Sequence, residues 1–264
     1  MSFTNKVVWI TGASSGIGKA LALELSKQEA LLILSSRNKK ALEVVQKECM
    51  YPDKVHIIEL DLMDYANMEI KVTKALTFFG RIDILVNNGG ISQRSLAKET
   101  TIEVDKQIMD INYLGTVALT KAVLPHFIKN NFGQFVVTTS IVGKIGTPLR
   151  SSYAASKHAL HGFFDSLRAE VFENNITVTL ICPGFVTTNI SKNALTGDGT
   201  PQETMDKATS NGIEPVRFAK LMAKAIKNKK EEAYISGAKE KLGVYVKRWI
   251  PKLYSYMVRK LSVT

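Results

Sequence analysis

The chain has 264 residues, 45% hydrophobic and 22% charged, which suits a single globular domain with a full-sized core and excludes a disordered or low-complexity polypeptide. Lys and Arg outnumber Asp and Glu by 35 to 24, a net charge of +11, so anions are the favoured partners: phosphorylated cofactors or anionic lipid surfaces, with no nucleic-acid-binding motif to add a third. Cys49 and Cys182 show no disulfide or metal-site spacing, no apolar run reaches the ~18 residues that cross a bilayer, and no signal-peptide pattern is present; a cytoplasmic protein without a metal is expected.

Lys6–Thr11 is a short apolar run of the buried parallel-strand type. It empties into Gly12-Ala13-Ser14-Ser15-Gly16-Ile17-Gly18, followed by helical spacing over Lys19–Gln28. Strand, glycine turn and helix together form a dinucleotide site: glycines let the backbone approach a pyrophosphate whose charge rests on the helix N-terminus. The spacing is G-x-x-x-G-x-G, and a bare glycine match without that context is only a turn.

Leu31–Ser35 is the second strand, and Ser36-Arg37 follows it. A carboxylate there would take the ribose hydroxyls of NAD; a guanidinium favours the 2′-phosphate of NADP. After a helix to about Met50, strand Val55–Leu60 ends in Asp61-Leu62. Asp61 either accepts from an adenine amino group or caps the next helix. Ile82–Val86 is a fourth strand, opening into Asn87-Asn88-Gly89-Gly90, a turn suited to passing close to a cofactor.

A single long helix is expected from about 101 to 129, with Asn112 as a poor helix former within it, either kinking the helix around a water or acting as a satisfied core amide. Gln134–Thr139 is the fifth strand and delivers Ser140. The helix expected over Ser151–Asn174 carries Tyr153 and Lys157, four apart on one face. A cation ~4 Å from a phenol at an effective dielectric of ~20 contributes about 4 kcal/mol. That would bring a tyrosine, ordinarily near pKa ~10, toward the range of efficient acid–base work. An ordinary amphipathic helix shows the same spacing.

Val178–Cys182 is the sixth strand, followed by Pro183-Gly184-Phe185-Val186-Thr187-Thr188. Residues 185–212 are polar and fit a mobile lid over a site. A helix over Pro215–Lys227 and a strand over Glu232–Ser236 complete an α/β, Rossmann-type, doubly wound seven-stranded parallel sheet with helices on both faces, as one domain. Residues 237–264 form a basic C-terminal extension. Within 239–261, Leu242, Val246, Trp249, Leu253, Met257 and Leu261 recur at helical spacing, and Pro251 should kink or divide any helix there. Such a stretch either lies peripherally on an anionic bilayer or covers the pocket or a neighbouring subunit.

Thr11–Gly18, Asn87–Gly90, Asn112, Ser140, Tyr153-x-x-x-Lys157 and Pro183-Gly184, in this order and spacing, resemble the short-chain dehydrogenase/reductase family. Residues 149–158, 104–106, 112–122 and the tail from Val244 are similar to its dehydrogenase/reductase member 7B group. The resemblance implies an oxidoreductase that moves a hydride between NADP(H), in preference to NAD(H), and a carbonyl or secondary alcohol. It implies Tyr153 as acid–base, Lys157 as its pKa-lowering partner and ribose contact, Ser140 on the substrate oxygen and Asn112 holding a water. The implied cofactor set is Gly12, Ser14, Ser15, Gly16, Ile17, Gly18, Arg37, Asp61, Leu62, Asn88, Gly89, Pro183, Gly184, Val186 and Thr188, with Tyr153 and Lys157. The substrate expected is a small lipophilic carbonyl compound such as a steroid, retinoid or other lipid. A homodimer or homotetramer built on 101–129 and 151–174 is expected too. One departure stands out: the family's usual Asn-Asn-Ala-Gly is Asn-Asn-Gly-Gly here, and the lost methyl should loosen the turn. A cofactor-sensing protein without catalysis is the alternative, though it would not need Tyr153 or Lys157.

Overall fold

A computed structural model describes residues 2–260. Seven strands form one sheet in the order β3-β2-β1-β4-β5-β6-β7, every neighbouring pair parallel. They are β1 (Val7–Thr11), β2 (Leu31–Ser36), β3 (Val55–Glu59), β4 (Ile84–Asn87), β5 (Gly133–Thr138), β6 (Ile176–Pro183) and β7 (Glu232–Ile235). The order reverses between β1 and β4, and the carboxyl ends of those two strands open the crevice where this architecture takes ligands.

The strands are apolar on both faces because both faces are covered. Along β1, Val8 and Ile10 join one core with α1 (Gly16–Ser26), α2 (Lys39–Glu48) and, later in the chain, α8 (Pro215–Lys227). Val7 and Trp9 point the other way, into a core with α3 (Met68–Phe79), α5 (Gly115–Lys129) and α6 (Ser151–Glu170). Trp9 is fully buried and donates its indole N–H to Ser35 Oγ on the next strand, at 2.8 Å, which removes the cost of an orphaned donor.

The stretch expected as one helix over 101–129 is two. Between α4 (Ile102–Met109) and α5 lies a π-helical turn, Asp110–Leu114. Asn112 sits in that turn, completely buried, and its amide bonds fully with neighbours outside the helix. The wider turn lets a poor helix former face inward without leaving its amide unpaired. The helix expected to Asn174 stops at Glu170, and a 3-10 turn with Asn175 at φ +53° carries the chain into β6.

Residues 185–212 hold one short helix, α7 (Lys207–Ser210), but the segment is pinned. Ser191, Ala194 and Asp206 are buried, and Leu195 bridges to Gln93. The C-terminal extension folds as α9 (Ala238–Trp249) and α10 (Pro251–Val258), with Pro251 opening the second helix. Leu261, the last residue of the apolar series read from the sequence, lies outside the described residues. No described helix is long and apolar enough to cross a membrane.

Candidate active site

A cleft of about 560 Å³ lies at the carboxyl ends of β1, β2, β4 and β5. Apart from Gly18 and Asn112, every site residue expected from the sequence lines it. At one end the backbone forms the wall. Gly12 and Gly16 have φ of +62° and +54°, a region that favours glycine. A Cβ on Gly12 would come within 2.8 Å of Gly89 Cα, and one on Gly18 would strike the Gly12 carbonyl oxygen. Gly18 therefore serves the site by letting helix and turn meet. No side chain caps the N-terminus of α1, so its first amides are available to an anion.

Asn88 laces this end together. Its Nδ2 donates to Thr11 O (3.1 Å) and Gly12 O (3.4 Å), and its Oδ1 accepts from Thr138 Oγ1 (3.2 Å). Thr11 Oγ1 in turn accepts from the backbone N–H of Asn88 and of Gly89, each at 3.0 Å. The glycine that replaces the family's alanine does not leave a gap. A methyl on Gly89 would lie 2.9 Å from Leu62 Cδ1, so Leu62 fills the space.

Arg37 stands exposed directly after β2, on the cleft wall, and the end of the strand, Ser35-Ser36, brings no carboxylate. Asp61 lines the cleft while its Oδ1 accepts from Met63 N at 3.0 Å. It closes a turn rather than capping a helix, and its other oxygen faces no protein donor among the described residues.

At the other end are the groups able to do proton chemistry. Tyr153 and Lys157 come from α6 and Ser140 from the end of β5. The Tyr153 phenol hydrogen-bonds with Ser140. Ser140 Oγ also accepts from Val142 N at 3.2 Å, which fixes the hydroxyl in the first turn after the strand. Lys157 Nζ donates to Thr138 O at 2.9 Å and lies 5.8 Å from the Tyr153 ring centroid.

The electrostatics differ from the expectation. Burial holds the phenol above its ordinary value, opposed by the Ser140 hydrogen bond and then by the positive charges of Arg150 and Arg94. The charges acting on the phenol are those of Arg150 and Arg94; Lys157 donates one hydrogen bond to the Thr138 carbonyl, and burial lowers Lys157 itself to about 8. Asn112 Oδ1 accepts from Ile91 N (2.8 Å), and its Nδ2 donates to Ile91 O (2.9 Å) and Ser156 Oγ (3.0 Å). Both amide hydrogens are thereby committed, as in the core-amide reading.

The sequence profile of the short chain dehydrogenase family matches residues 6–198. Dehydrogenase/reductase SDR family member 7 of Homo sapiens is 42% identical over 98% of this chain and 78% of its own. Member 7B of Bos taurus is 41% identical over 95% of this chain and 79% of its own. The chain belongs to the short-chain dehydrogenase/reductase family. It is thus an oxidoreductase by family. Among solved structures, a short-chain dehydrogenase/reductase from Burkholderia phymatum in complex with NAD superposes with a TM-score of 0.85 over 96% of both chains, at 22% identity. An alcohol dehydrogenase from Thermococcus sibiricus complexed with 5-hydroxy-NADP gives 0.75 at 26% identity, over 88% of this chain and 97% of that one.

Four residues behind the wall of this short-chain dehydrogenase/reductase cleft had no signal in the sequence. The N-terminus of α6 has no side-chain cap of its own. Gln93, fully buried, supplies one: its Oε1 accepts from Ser152 N (2.9 Å) and Tyr153 N (3.3 Å). Next to it, Arg94 donates from Nε (2.8 Å) and Nη2 (2.5 Å) to Asp206 Oδ2, and Arg150 Nη2 stands 3.6 Å from the same oxygen. All three ionic side chains are buried. Burial alone would raise the Asp206 carboxyl, but the bonds from Arg94 and Gln202 and the charge of Arg150 hold it below the usual carboxylate range. Only folding brings Arg94 and Asp206 together across 112 positions.

No metal site is expected from the spacing of Cys49 and Cys182. Among the described residues one group of ligating type converges, His161, Cys182 and Glu232. Lys144 pairs with its carboxylate at 3.2 Å, and burial pushes the Cys182 thiol up to about 12.

Proposed function

We propose that the protein is an NADP(H)-dependent oxidoreductase interconverting a lipophilic carbonyl compound and its secondary alcohol. The observation that carries this reading is the meeting of Ser140 and Tyr153 at the inner end of a glycine-walled cleft whose outer rim bears Arg37. The residues fit a dinucleotide: the positive-φ glycines leave room for the pyrophosphate, the uncapped start of α1 offers it amides, and Arg37 suits a 2′-phosphate. A bound nicotinamide supplies or takes up the hydride. Ser140 Oγ and Tyr153 Oη donate to the carbonyl oxygen, stabilising the charge that develops on it, and Tyr153 gives up its proton to complete the alcohol. Lys157, anchored by Thr138 O, would present its remaining N–H groups at the inner end of the cleft to hold a bound ribose.

Ile91, Ile111, Val186, Ile190 and Leu195 also line the cleft, and an apolar substrate body suits them. Exposed Ile102, Leu114 and Phe172 on and beside α4 to α6 support assembly as a homodimer or homotetramer through that side.

The test is NADPH oxidation against a panel of ketones, with NADH in parallel. Tyr153→Phe should lower turnover at least ~100-fold while NADPH still quenches protein fluorescence with unchanged affinity. Tight NADPH binding without turnover of any carbonyl would instead favour a cofactor sensor.

A further inference from the structure

The two C-terminal helices have different faces. Inward, Val244, Val246, Tyr254 and Val258 pack with Ile141, Ile145, Cys182 and Tyr234. Tyr254 donates its hydroxyl to Gly146 O at 2.6 Å, and Glu240 Oε1 accepts from Phe185 N at 3.3 Å. The helices are therefore seated on the domain beside the cleft. The apolar series in the sequence is split by this seating: Val246 faces in, whereas Leu242, Trp249 and Leu253 face out.

Outward, Leu242, Tyr245 and Trp249 recur at i, i+3 and i+7 along α9, and Leu253 and Tyr256 at i and i+3 along α10. All are exposed, Trp249 by 77%. Around them stand Lys239, Lys241, Lys247, Arg248, Lys252, Arg259 and Lys260, all exposed too. Glu240 is the one acidic residue from 238 to 260, and it is turned inward to Phe185. A surface of aromatic and aliphatic side chains ringed by cations is what the headgroup region of an anionic leaflet receives. A second copy of the same face would bring like charges together, which disfavours self-association there.

We propose that the outer face of α9 and α10 docks the protein on anionic phospholipid bilayers, the helices lying in the headgroup plane with Leu242, Tyr245, Trp249, Leu253 and Tyr256 directed into the acyl boundary. The contact does not depend on the chemistry proposed above, and it can be measured without cofactor.

The two tryptophans make the test direct, because Trp9 is fully buried and Trp249 is exposed. The full chain is mixed with phosphatidylcholine vesicles, with or without phosphatidylglycerol, at moderate salt. Expected are co-sedimentation with the anionic vesicles alone, a blue shift of emission with loss of acrylamide quenching, and release at high salt. Trp249→Phe should abolish the spectral change, leaving the Trp9 signal as a check on the fold. Each lysine or arginine near the surface contributes about fivefold in binding, so Lys241→Gln with Arg248→Gln should weaken it roughly 25-fold. Folded protein that stays in solution with anionic vesicles, or binds neutral vesicles equally, overturns the proposal. So does protection of Trp249 without vesicles in a dimer that Trp249→Phe dissociates, which would assign the face to a second copy.

Discussion

The two ends of the cleft are built by different means. Around Gly12–Gly18 and Asn88–Gly89 the wall is main chain packed against main chain, with no room for a methyl at Gly12 or Gly18. Around residues 185–212 the wall is held by side chains, chiefly Asp206 between Arg94 and Arg150. The first construction needs particular residues at fixed spacing within one turn, so it can be read along the chain. The second needs three charges that meet only after the sheet has formed.

Substitutions can break or sharpen this contrast. The largest effect should come from Asp206→Asn, which leaves two buried guanidiniums facing a neutral amide; loss of one partner of a buried ion pair costs about 3–5 kcal/mol. Thermal unfolding should show the loss, and hydrogen exchange should rise in 185–212 before it rises in the sheet. Uniform loosening would mean that the segment is no separate construction. In the wild type the lowered carboxyl of Asp206 makes the anchor's contribution complete above the ordinary carboxylate range. It should fade only as pH falls through the depressed value.

Gly18→Ala comes next. Its methyl would strike a backbone carbonyl that cannot swing away, and overpacking of this kind costs about 1–3 kcal/mol. Dinucleotide binding, followed by fluorescence, should fall with stability; intact binding would show that the turn is less rigid than its contacts imply. Arg37→Ala tests a side chain at the main-chain end. A charge-assisted bond contributes about 1.5–3 kcal/mol, so the KM for NADPH should rise roughly 10- to 100-fold while that for NADH stays level. Equal change for both cofactors would remove Arg37 from the 2′-phosphate. The smallest effect belongs to Gly89→Ala, whose methyl is tight only against the end of the Leu62 side chain and otherwise reaches ordinary contact with Thr11 and Gly12. A change under about 1 kcal/mol is expected in chemical denaturation, and a larger one would mean that Leu62 is locked.

The same contrast explains what the sequence revealed. The continuous apolar run of β1, the glycine turn and the Tyr153–Lys157 spacing are local patterns, and the seven strands stand within one or two residues of their expected ends. The π turn at Asp110–Leu114 is not local, because it depends on Ile91 and Ser156 completing the bonds of Asn112. Lys157 is a neighbour of Tyr153 as its spacing suggested, while Arg150 and Arg94, whose charges act on the phenol, carried no signal in the sequence. The tail's period predicted helix kinked or divided at Pro251, where the chain forms two helices, yet one continuous stripe could not show which residues would turn inward onto Ile141 and Ile145.

The borrowed cap on α6 has a consequence of its own. Gln93 follows directly from the strand-end turn that meets the glycine loop, and it grips the amide of the very residue that bears the phenol. The turn beside the glycine loop and the first amides of α6 are thereby tied through one buried side chain, so the two ends of the crevice share an anchor.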